Sequence, residues 1–303
     1  MEKTLRETIK ELIRKHLKTK KGQVFGQCLT AVGWVGGTLP ELYEKDGMVE
    51  LSMADVAGGG IAVGAALMNS RPIYVIRYQG FNWYNAPMIL NYACKSKEIW
   101  KRPCPVFIRS IGMEGGIGPV AGSSHHSLYY RMPGIKIVSP MTPGEYKEIY
   151  KKFMSEKEVY YVSEHRGAYG NSEEFKNDID DKKELIIIAI SITRFEAEKA
   201  KKNLEKKGYK IGIKHVLWLK PFKILPKEVS AIKKSKAGCL ILDDDYVDGV
   251  ANSIGNKLNI KTKKPMYTLG LKDKSAGFSK STDNLPPQSQ DIEKKIISIL
   301  GEK

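Results

Sequence analysis

VELSMADVAGGGIAVGAALMNSRPIYVIR, residues 49–77, is the stretch that decides the fold. Its first residues, VELSM, belong to the predicted strand MVELSM (48–53), and PIYVIR (72–77) predicts a further, buried strand. The residues between them are small and apolar, and Gly58 opens three glycines followed by an alanine-rich run. This composition is typical of a helix that begins directly after a strand and packs closely against a neighbour. The stretch therefore predicts a strand–helix–strand unit of a parallel sheet.

The same alternation of strand and helix extends in both directions along the chain. In the first half the further strands are QVFGQ (23–27), CPVFIR (104–109), IKIVSP (135–140) and VYYVSE (159–164), and the helices are 5–18, 38–45, 84–99 and 144–155. In the second half the strands are 184–191, 209–216, 238–244 and 266–270, and the helices are 195–207, 226–235, 247–258 and 289–300. The pattern predicts an α/β fold with mostly parallel sheets covered on both faces.

A polar segment divides the two alternations. YGNSEEFKNDIDDKK (169–183) is acidic and without hydrophobic periodicity, which is typical of a linker. We therefore expect a first α/β domain over 1–170, a linker over 171–183 and a second α/β domain over 184–303.

Composition excludes several classes of protein. The chain has 303 residues, of which 42% are apolar, and no apolar run approaches the roughly 18–20 residues of a membrane span. The basic N-terminal segment lacks the apolar core of a signal peptide, and the four cysteines form no CxxC pair. We expect a soluble cytoplasmic protein without a bound metal of its own. The net charge of +16 is compatible with an acidic partner subunit. It does not indicate nucleic-acid binding, because the lysines do not alternate with aromatic residues along one stripe.

One glycine-rich loop stands out as a candidate site. The chain has neither a GxxxxGK[ST] phosphate loop nor a GxGxxG turn that opens a helix after the first strand. EGGIGPVAGSSHH (114–126), by contrast, follows a buried strand and ends in His125 and His126. A flexible surface loop is one interpretation, and a functional loop is the other, since paired histidines suit proton transfer near neutral pH.

The order of these segments resembles a known family, the beta subunits of the decarboxylating component of 2-oxo acid dehydrogenase complexes. More broadly it is similar to the pyrimidine-binding and C-terminal domains of the transketolase superfamily. The matching segments are VFGQCLTAVGWVGGTLPELYEKDG, VELSMAD, GGGIAVGAALMNSRPI, SSHHS, PGIKIVSP and LPPQSQDIEKKI, with Phe81, Asn91 and Lys95 on matching positions. The resemblance covers nearly the whole chain and implies a transketolase-like pyrimidine-binding domain followed by a transketolase C-terminal-type domain.

The resemblance also implies thiamine diphosphate as the cofactor. In such proteins the pyrimidine sits against the first domain, whereas the diphosphate and Mg²⁺ bind a different domain through a Gly-Asp-Gly…Asn motif. This chain has no such motif, so an alpha-type subunit is expected to hold the metal and diphosphate in an α₂β₂ heterotetramer. Whether a lipoyl-bearing acyltransferase core also binds stays open.

Asp55 falls on the position of the family's activating carboxylate, which is a glutamate that binds the pyrimidine. Aspartate is one C–C bond shorter, roughly 1.5 Å. Three interpretations stay open: Asp55 acts with a shifted backbone, it acts through water or activates more weakly, or the chain is a non-catalytic relative. Each is compatible with an aspartate that merely caps the following helix.

The resemblance assigns roles to the other candidate residues. Cofactor contacts are implied for Gln27, which replaces a family glutamate, for Gly58, and for Tyr78 and Phe81, which could instead pack in the core. His126, or His125 beside it, would face the substrate and move a proton. Arg109 would hold either a substrate anion or a structural carboxylate.

The expected function is a beta-type enzyme subunit. It would cleave a C–C bond next to the carbonyl of a 2-oxo acid and transfer the resulting acyl or aldehyde unit. The alternatives are half of a split transketolase, an acyl carboligase acting on a sugar or aldehyde, and, from another class, a non-catalytic scaffold subunit.

Overall fold

The computed structural model describes residues 2–113 and 123–303 and divides them into two compact units. The first unit contains residues 2–113 and 123–174, and the second contains 175–303. The division falls inside the segment 171–183 that the sequence marks as a linker. Most of the glycine-rich loop, residues 114–122, lies outside the described residues, whereas His125 and His126 lie within them.

The first unit is built on six parallel strands in the order β2–β1–β3–β4–β6–β5. The strands are β1 (Gly22–Gln27), β2 (Met48–Leu51), β3 (Arg71–Ile76), β4 (Phe107–Gly112), β5 (Ile135–Val138) and β6 (Val159–His165). Every residue of β4 and β6 is buried, as in a parallel sheet that is covered on both faces. The expected α/β fold class is confirmed.

The described residues of this unit form seven α-helical segments. They are α1 (Leu5–Leu17), α2 (Ala31–Gly37), α3 (Asp55–Leu67), α4 (Asn82–Met88), α5 (Cys94–Ile99), α6 (Ser127–Tyr130) and α7 (Pro143–Ser155). Of these, α2 departs from right-handed geometry at residues 32–36. Helix α1 begins at a capping box, in which Thr4 and Glu7 bind each other's backbone N–H groups. Its face formed by Leu5, Ile9 and Ile13 is buried, as the sequence periodicity predicts.

Two predicted helices differ from the structure. The prediction of a helix over 38–45 is wrong. The helical segment lies earlier in the chain, where residues 32–36 have positive φ and so are left-handed. At the end of the predicted range there is only a 3₁₀ turn, Glu44–Asp46. Three glycines lie in Gly33–Gly37, and Pro40 disfavours helical geometry at the residue before it. The helix expected over 84–99 is divided into α4 and α5.

A π-helical segment, Ile89–Ala93, joins α4 to α5. Pro87 lies inside α4 and has no N–H to donate, and the N–H of Cys94 donates to the carbonyl of Ile89, five residues earlier.

A proline also shortens one predicted strand. Strand β4 begins three residues later than the sequence predicts, because Pro105 cannot join the hydrogen-bonded ladder.

The second unit has a four-stranded parallel sheet in the order β11–β10–β7–β8. Its strands are β7 (Leu185–Ile190), β8 (Ile211–Val216), β9 (Trp218–Lys220), which lies outside this sheet, β10 (Cys239–Tyr246) and β11 (Met266–Leu271). Its helices are α8 (Thr193–Lys206), α9 (Pro226–Lys234), α10 (Val250–Thr262) and α11 (Ser289–Leu300). Helices α8 and α11 pack on one face, where Leu204 and Ile296 join the core with Leu240. Helix α10 lies on the other face, with Gly255 against Ile241.

No helix within the described ranges is long and apolar enough to cross a membrane.

Candidate functional site

A cavity of about 110 Å³ opens at the carboxyl edge of the first sheet. Parallel strands present their carboxyl ends at one edge, where ligands of such sheets bind. The cavity is lined by residues that end or follow β1, β2 and β3: Gln27, Cys28, Met53, Asp55, Tyr74, Val75, Ile76, Arg77, Tyr78 and Phe81. Four of the residues that the sequence selects, Gln27, Asp55, Tyr78 and Phe81, therefore share one cavity.

Asp55 is held by a short chain of hydrogen bonds. Asn85 Nδ2 donates to Asp55 Oδ1 over 3.0 Å and also to the carbonyl of Phe81 over 3.0 Å. Tyr74 Oη donates to Asn85 Oδ1 over 2.7 Å. Burial, with a smaller contribution from the charge of Asp55, raises the pKa of Tyr74, so its hydroxyl stays protonated. The amide of Asn85 is therefore oriented from both ends. Asp55 is the first residue of α3, which has Ala54 as its N-cap, so the helix-capping interpretation is wrong.

Gly58 and Gly59 make room for this chain of hydrogen bonds. A Cβ atom at Gly58 would lie 2.8 Å from Tyr74 Oη, and one at Gly59 would lie 3.2 Å from Asn85 Oδ1. Gly58 does not line the cavity, so the structure places it beneath Asp55, against Tyr74. The two glycines let α3 approach β3 and α4 closely enough for Asp55 to reach Asn85.

The rest of the cavity wall combines an unsatisfied donor with two aromatic rings. Gln27 Nε2 is buried and has no hydrogen-bond partner within the described part of the chain. Buried amide groups in native proteins are usually paired, so this donor suits a ligand that brings an acceptor. The rings of Tyr78 and Phe81 lie 6.1 Å apart, tilted by 45°, and both line the cavity.

The two histidines lie elsewhere in the first unit. His126 is fully buried, and its Nδ1 lies 3.1 Å from Ser163 Oγ. His125 is half-buried, and its backbone N–H donates to Gln79 Oε1 over 2.6 Å. The Nε2 of Gln79 in turn donates to Ser163 Oγ over 2.9 Å, so the amide of Gln79 fixes the histidine segment to β6. Neither histidine lines the cavity that contains Asp55.

Arg109 lies inside the sheet, where 0% of its side chain is exposed. Its Nε and Nη2 bind the two oxygens of Glu164 over 2.7 and 2.8 Å. Tyr146 and Tyr169 donate to the same carboxylate over 2.8 and 2.7 Å, and Arg109 Nη2 also donates to Thr38. Burial alone lowers the pKa of Arg109, but the charge of Glu164 opposes it and holds that pKa well above its usual value. Of the two predicted roles of Arg109, the structure supports the second: Arg109 binds the carboxylate of Glu164, a structural residue.

Sequence reasoning missed three residues of this site: Tyr74, Gln79 and Asn85. Asn85 carried one weak signal, since it lies four residues after Phe81 and so shares its helix face. The sequence carried no signal for the other two residues. Tyr74 resembles any buried strand residue, and Gln79 resembles any residue of a turn.

Comparisons with known proteins agree with this geometry. A Bacillus subtilis protein named 2-oxoisovalerate dehydrogenase subunit beta is 26% identical over 258 residues, which cover 75% of this chain and 74% of the relative. The pyruvate dehydrogenase E1 component subunit beta of the same organism is 23% identical over 323 residues, which cover 98% of both chains. These names agree with the resemblance derived from the sequence motifs.

A solved structure supports the fold over the whole chain. The structure titled "Split gene transketolase, inactive beta4 tetramer" superposes with a TM-score of 0.73 at 15% identity and covers 99% of each chain. At this identity the likeness concerns the fold. The family described as "Transketolase, pyrimidine binding domain" matches residues 5–172, which is more than half of the chain, and the protein therefore belongs to that family.

Proposed function

We propose that this chain is the beta-type subunit of a two-chain, thiamine diphosphate-dependent enzyme acting on 2-oxo acids. The observation that carries the proposal is the cavity in which Asp55, Gln27, Tyr78 and Phe81 meet at the carboxyl edge of the first sheet. The two Bacillus relatives are named as beta subunits of 2-oxo acid dehydrogenases, which supports this reaction class over the transketolase-half and carboligase alternatives.

The residues of the cavity fit the aminopyrimidine of the cofactor. Asp55 Oδ1 is occupied by Asn85, whereas Asp55 Oδ2 has no hydrogen-bond partner in the described ranges and can accept a proton donor of the ring. Gln27 Nε2 is a buried donor without a partner, and an aromatic nitrogen would satisfy it. Tyr78 and Phe81 offer ring faces for stacking.

The mechanism uses these residues to bind and to activate. When bound, thiamine diphosphate would supply a nucleophilic carbon for cleavage of the bond next to the carbonyl. Asp55 would hold the pyrimidine through a charge-assisted hydrogen bond, which would favour the proton distribution that activates the cofactor. Asn85 and Tyr74 keep the Asp55 carboxylate in one position, because catalytic hydrogen bonds tolerate little misplacement.

Of the two histidines, we assign the substrate contact to His125. His125 keeps exposed surface, whereas His126 is fully buried against Ser163. We expect His125→Ala to lower turnover of the assembled enzyme while its unfolding free energy changes little. His126→Ala is expected to destabilise the fold instead. A large loss of turnover only in His126→Ala, with the fold intact, would reverse the assignment.

The partner is an alpha-type subunit that holds the diphosphate and Mg²⁺. One surface of the first unit supports such a partner: after Asp55, helix α3 carries no charged residue, yet its Val56 and Ile61 are 50% and 46% exposed, and Met68, directly after the helix, is 80% exposed. A helix that is apolar all round is normally buried, so this face suits an interface. A lipoyl-bearing acyltransferase core would be the acceptor in the same assembly.

Calorimetry tests the shared site. We expect tight binding of thiamine diphosphate with Mg²⁺ by this chain mixed with its alpha-type partner, and weak or no binding by this chain alone. The absence of binding in the mixture, with both proteins folded, would refute the proposal and favour a scaffold.

Substitution tests the acid. We expect Asp55→Ala to lower turnover of the complex by at least about 100-fold, the usual range for a positioned acid or base. Glu44→Gln, which changes an exposed carboxylate in the 3₁₀ turn, is the matched control. Unchanged turnover in Asp55→Ala would exclude Asp55 as the activating acid.

A further inference from the structure

A second cavity at the same edge of the sheet is lined by two arginines. Arg77 follows β3 and Arg166 follows β6, and the wall between them is mostly apolar and aromatic. The lining residues are Val32, Val35, Gly36, Arg77, Tyr78, Ile111, Met113, Arg166 and Tyr169. Arg77 and Tyr78 also line the cavity that contains Asp55, so the two cavities are neighbours.

Neither arginine has an anionic partner in the part of the chain that the structure describes. The Arg77 guanidinium lies 5.4 Å from the centre of the Tyr78 ring, which is a cation–π contact and leaves the charge uncompensated. Arg109 on β4, the strand between β3 and β6, differs, since its Nε and Nη2 form an ion pair with Glu164. Two guanidinium groups at one cavity repel each other, although water screens part of that repulsion because Arg166 is exposed and Arg77 is half-buried. An anion bound between them would reverse the sign of the interaction.

The chemistry of the reaction indicates which anion this is. When a 2-oxo acid loses its carboxylate, the negative charge leaves that group in the transition state. Two cations at the departing carboxylate would stabilise the substrate more than the transition state and would slow the reaction. The arginines therefore suit an anionic group that keeps its charge throughout.

We propose that Arg77 and Arg166 bind a second, distal anionic group of the substrate, either a carboxylate or a phosphate, beside the cofactor cavity. This inference rests on the proposed function and names its substrate class: 2-oxo acids, or related ketoses, that carry a second negative charge. The two arginines come from strands that are not neighbours, so the substrate tail would lie across β4.

Turnover of the complex assembled with its alpha-type partner gives the first test. The wild type is expected to prefer 2-oxoglutarate to 4-methyl-2-oxovalerate, a neutral-tailed acid of similar size. In Arg166→Gln, and in Arg77→Gln, the ratio of the two kcat/KM values should fall about 10- to 100-fold, as for loss of a charge-assisted hydrogen bond. Arg102→Gln, which changes an exposed arginine outside the cavity, should leave the ratio unchanged. A wild-type preference for the neutral acid, or an unaltered ratio in both site variants, would overturn the inference.

A binding measurement separates this inference from the proposed function. If the complex cleaves no 2-oxo acid, the proposed function fails, and the anion site is tested directly by calorimetric titration with glutarate and with inorganic phosphate. Binding that is lost in the double variant Arg77→Gln/Arg166→Gln but kept in Arg102→Gln supports the site, and the tighter probe identifies the carboxylate or the phosphate. Binding of neither probe by the wild-type complex would overturn the inference.

Discussion

Asn85 Nδ2 donates a hydrogen bond to Asp55 Oδ1 over 3.0 Å, and this contact fixes the carboxylate that the sequence resemblance aligns with a longer glutamate. The same amide accepts from Tyr74 Oη, so Asp55 is linked through Asn85 to the buried strand β3. A carboxylate that is shorter by roughly 1.5 Å leaves little tolerance for movement. The hydrogen-bond chain removes one source of that movement.

Asn85→Ala is expected to lower kcat of the assembled enzyme about tenfold. The KM for thiamine diphosphate should change less, because the variant misplaces the acid rather than removing a cofactor contact. Steady-state kinetics at varied cofactor concentration checks the split. Asn91→Ala is the control, because Asn91 is exposed and its side chain accepts a hydrogen bond from Lys95, away from Asp55. An equal loss in the two variants would exclude a positioning role for Asn85.

Gly58→Ala is expected to destabilise the protein by about 1–3 kcal/mol, the usual cost of overpacking. The added Cβ would lie 2.8 Å from Tyr74 Oη, inside van der Waals contact. Gly64→Ala in the same helix is the matched control, since nothing lies within 4 Å of its Cβ and alanine favours helices. Urea unfolding measures both variants. Tyr74→Phe combined with Gly58→Ala should cost less than the sum of the two single changes.

Much of the fold could be predicted from the sequence because its signals are local. Short apolar runs predicted ten of the eleven strands that the described residues form, all except β9, and the glycine–alanine run after Asp55 predicted α3. The failures came where backbone geometry overrides hydrophobic pattern: the glycines before Pro40 adopt left-handed geometry, and Pro87 precedes a π-helical segment. Hydrophobic periodicity carries no information about either.

The site could be predicted only in part. The motifs brought Gln27, Asp55, Tyr78 and Phe81 together, because each follows a strand at the same sheet edge. Asn85 and Gln79 act through side-chain contacts across the fold, which no spacing in the chain reveals. The role of Arg109 depended on Glu164, which is 55 residues away in the chain.

Arg109→Met is expected to destabilise the first unit by about 3–5 kcal/mol, the usual cost of leaving one buried charge without its partner. Glu164 would remain buried with two tyrosine hydroxyls as its remaining donors. The free energy of unfolding in urea checks this, with Arg102→Met at an exposed position as the control. If Arg109→Met were as stable as the control, the pair would not stabilise the fold. Arg109→Met/Glu164→Leu should be more stable than Arg109→Met alone.

Acidification is expected to destabilise the protein between about pH 6.5 and pH 4 through His16. Burial lowers the pKa of His16 to about 4, against about 6.5 in an unfolded chain. In that window the unfolded state binds the proton and the folded state does not, so stability falls as the pH falls, by about 1.4 kcal/mol per pH unit. Stability from this group is complete above pH 6.5.

Burial keeps the ring of His16 neutral in the folded state, and both of its nitrogens have hydrogen-bond partners. Its Nε2–H donates to the carbonyl of Arg71 over 2.8 Å, which leaves Nδ1 to accept from Tyr150 Oη over 3.0 Å. Urea unfolding of wild type and His16→Gln from pH 4.5 to 8 tests the assignment. The wild-type curve should be steeper below pH 6.5, and parallel curves would assign the acid sensitivity to other groups.

The π-helical segment Ile89–Ala93 has a consequence for changes in chain length. A π turn contains one residue more than the α turn it replaces. Deleting one residue there would restore α-helical geometry and leave both flanks facing as they do now. Elsewhere between Asn82 and Ile99, a single deletion would rotate all later residues by about 100° and carry the buried Ser96 away from the core. This segment is therefore where the helix can lose a residue without losing its helical phase.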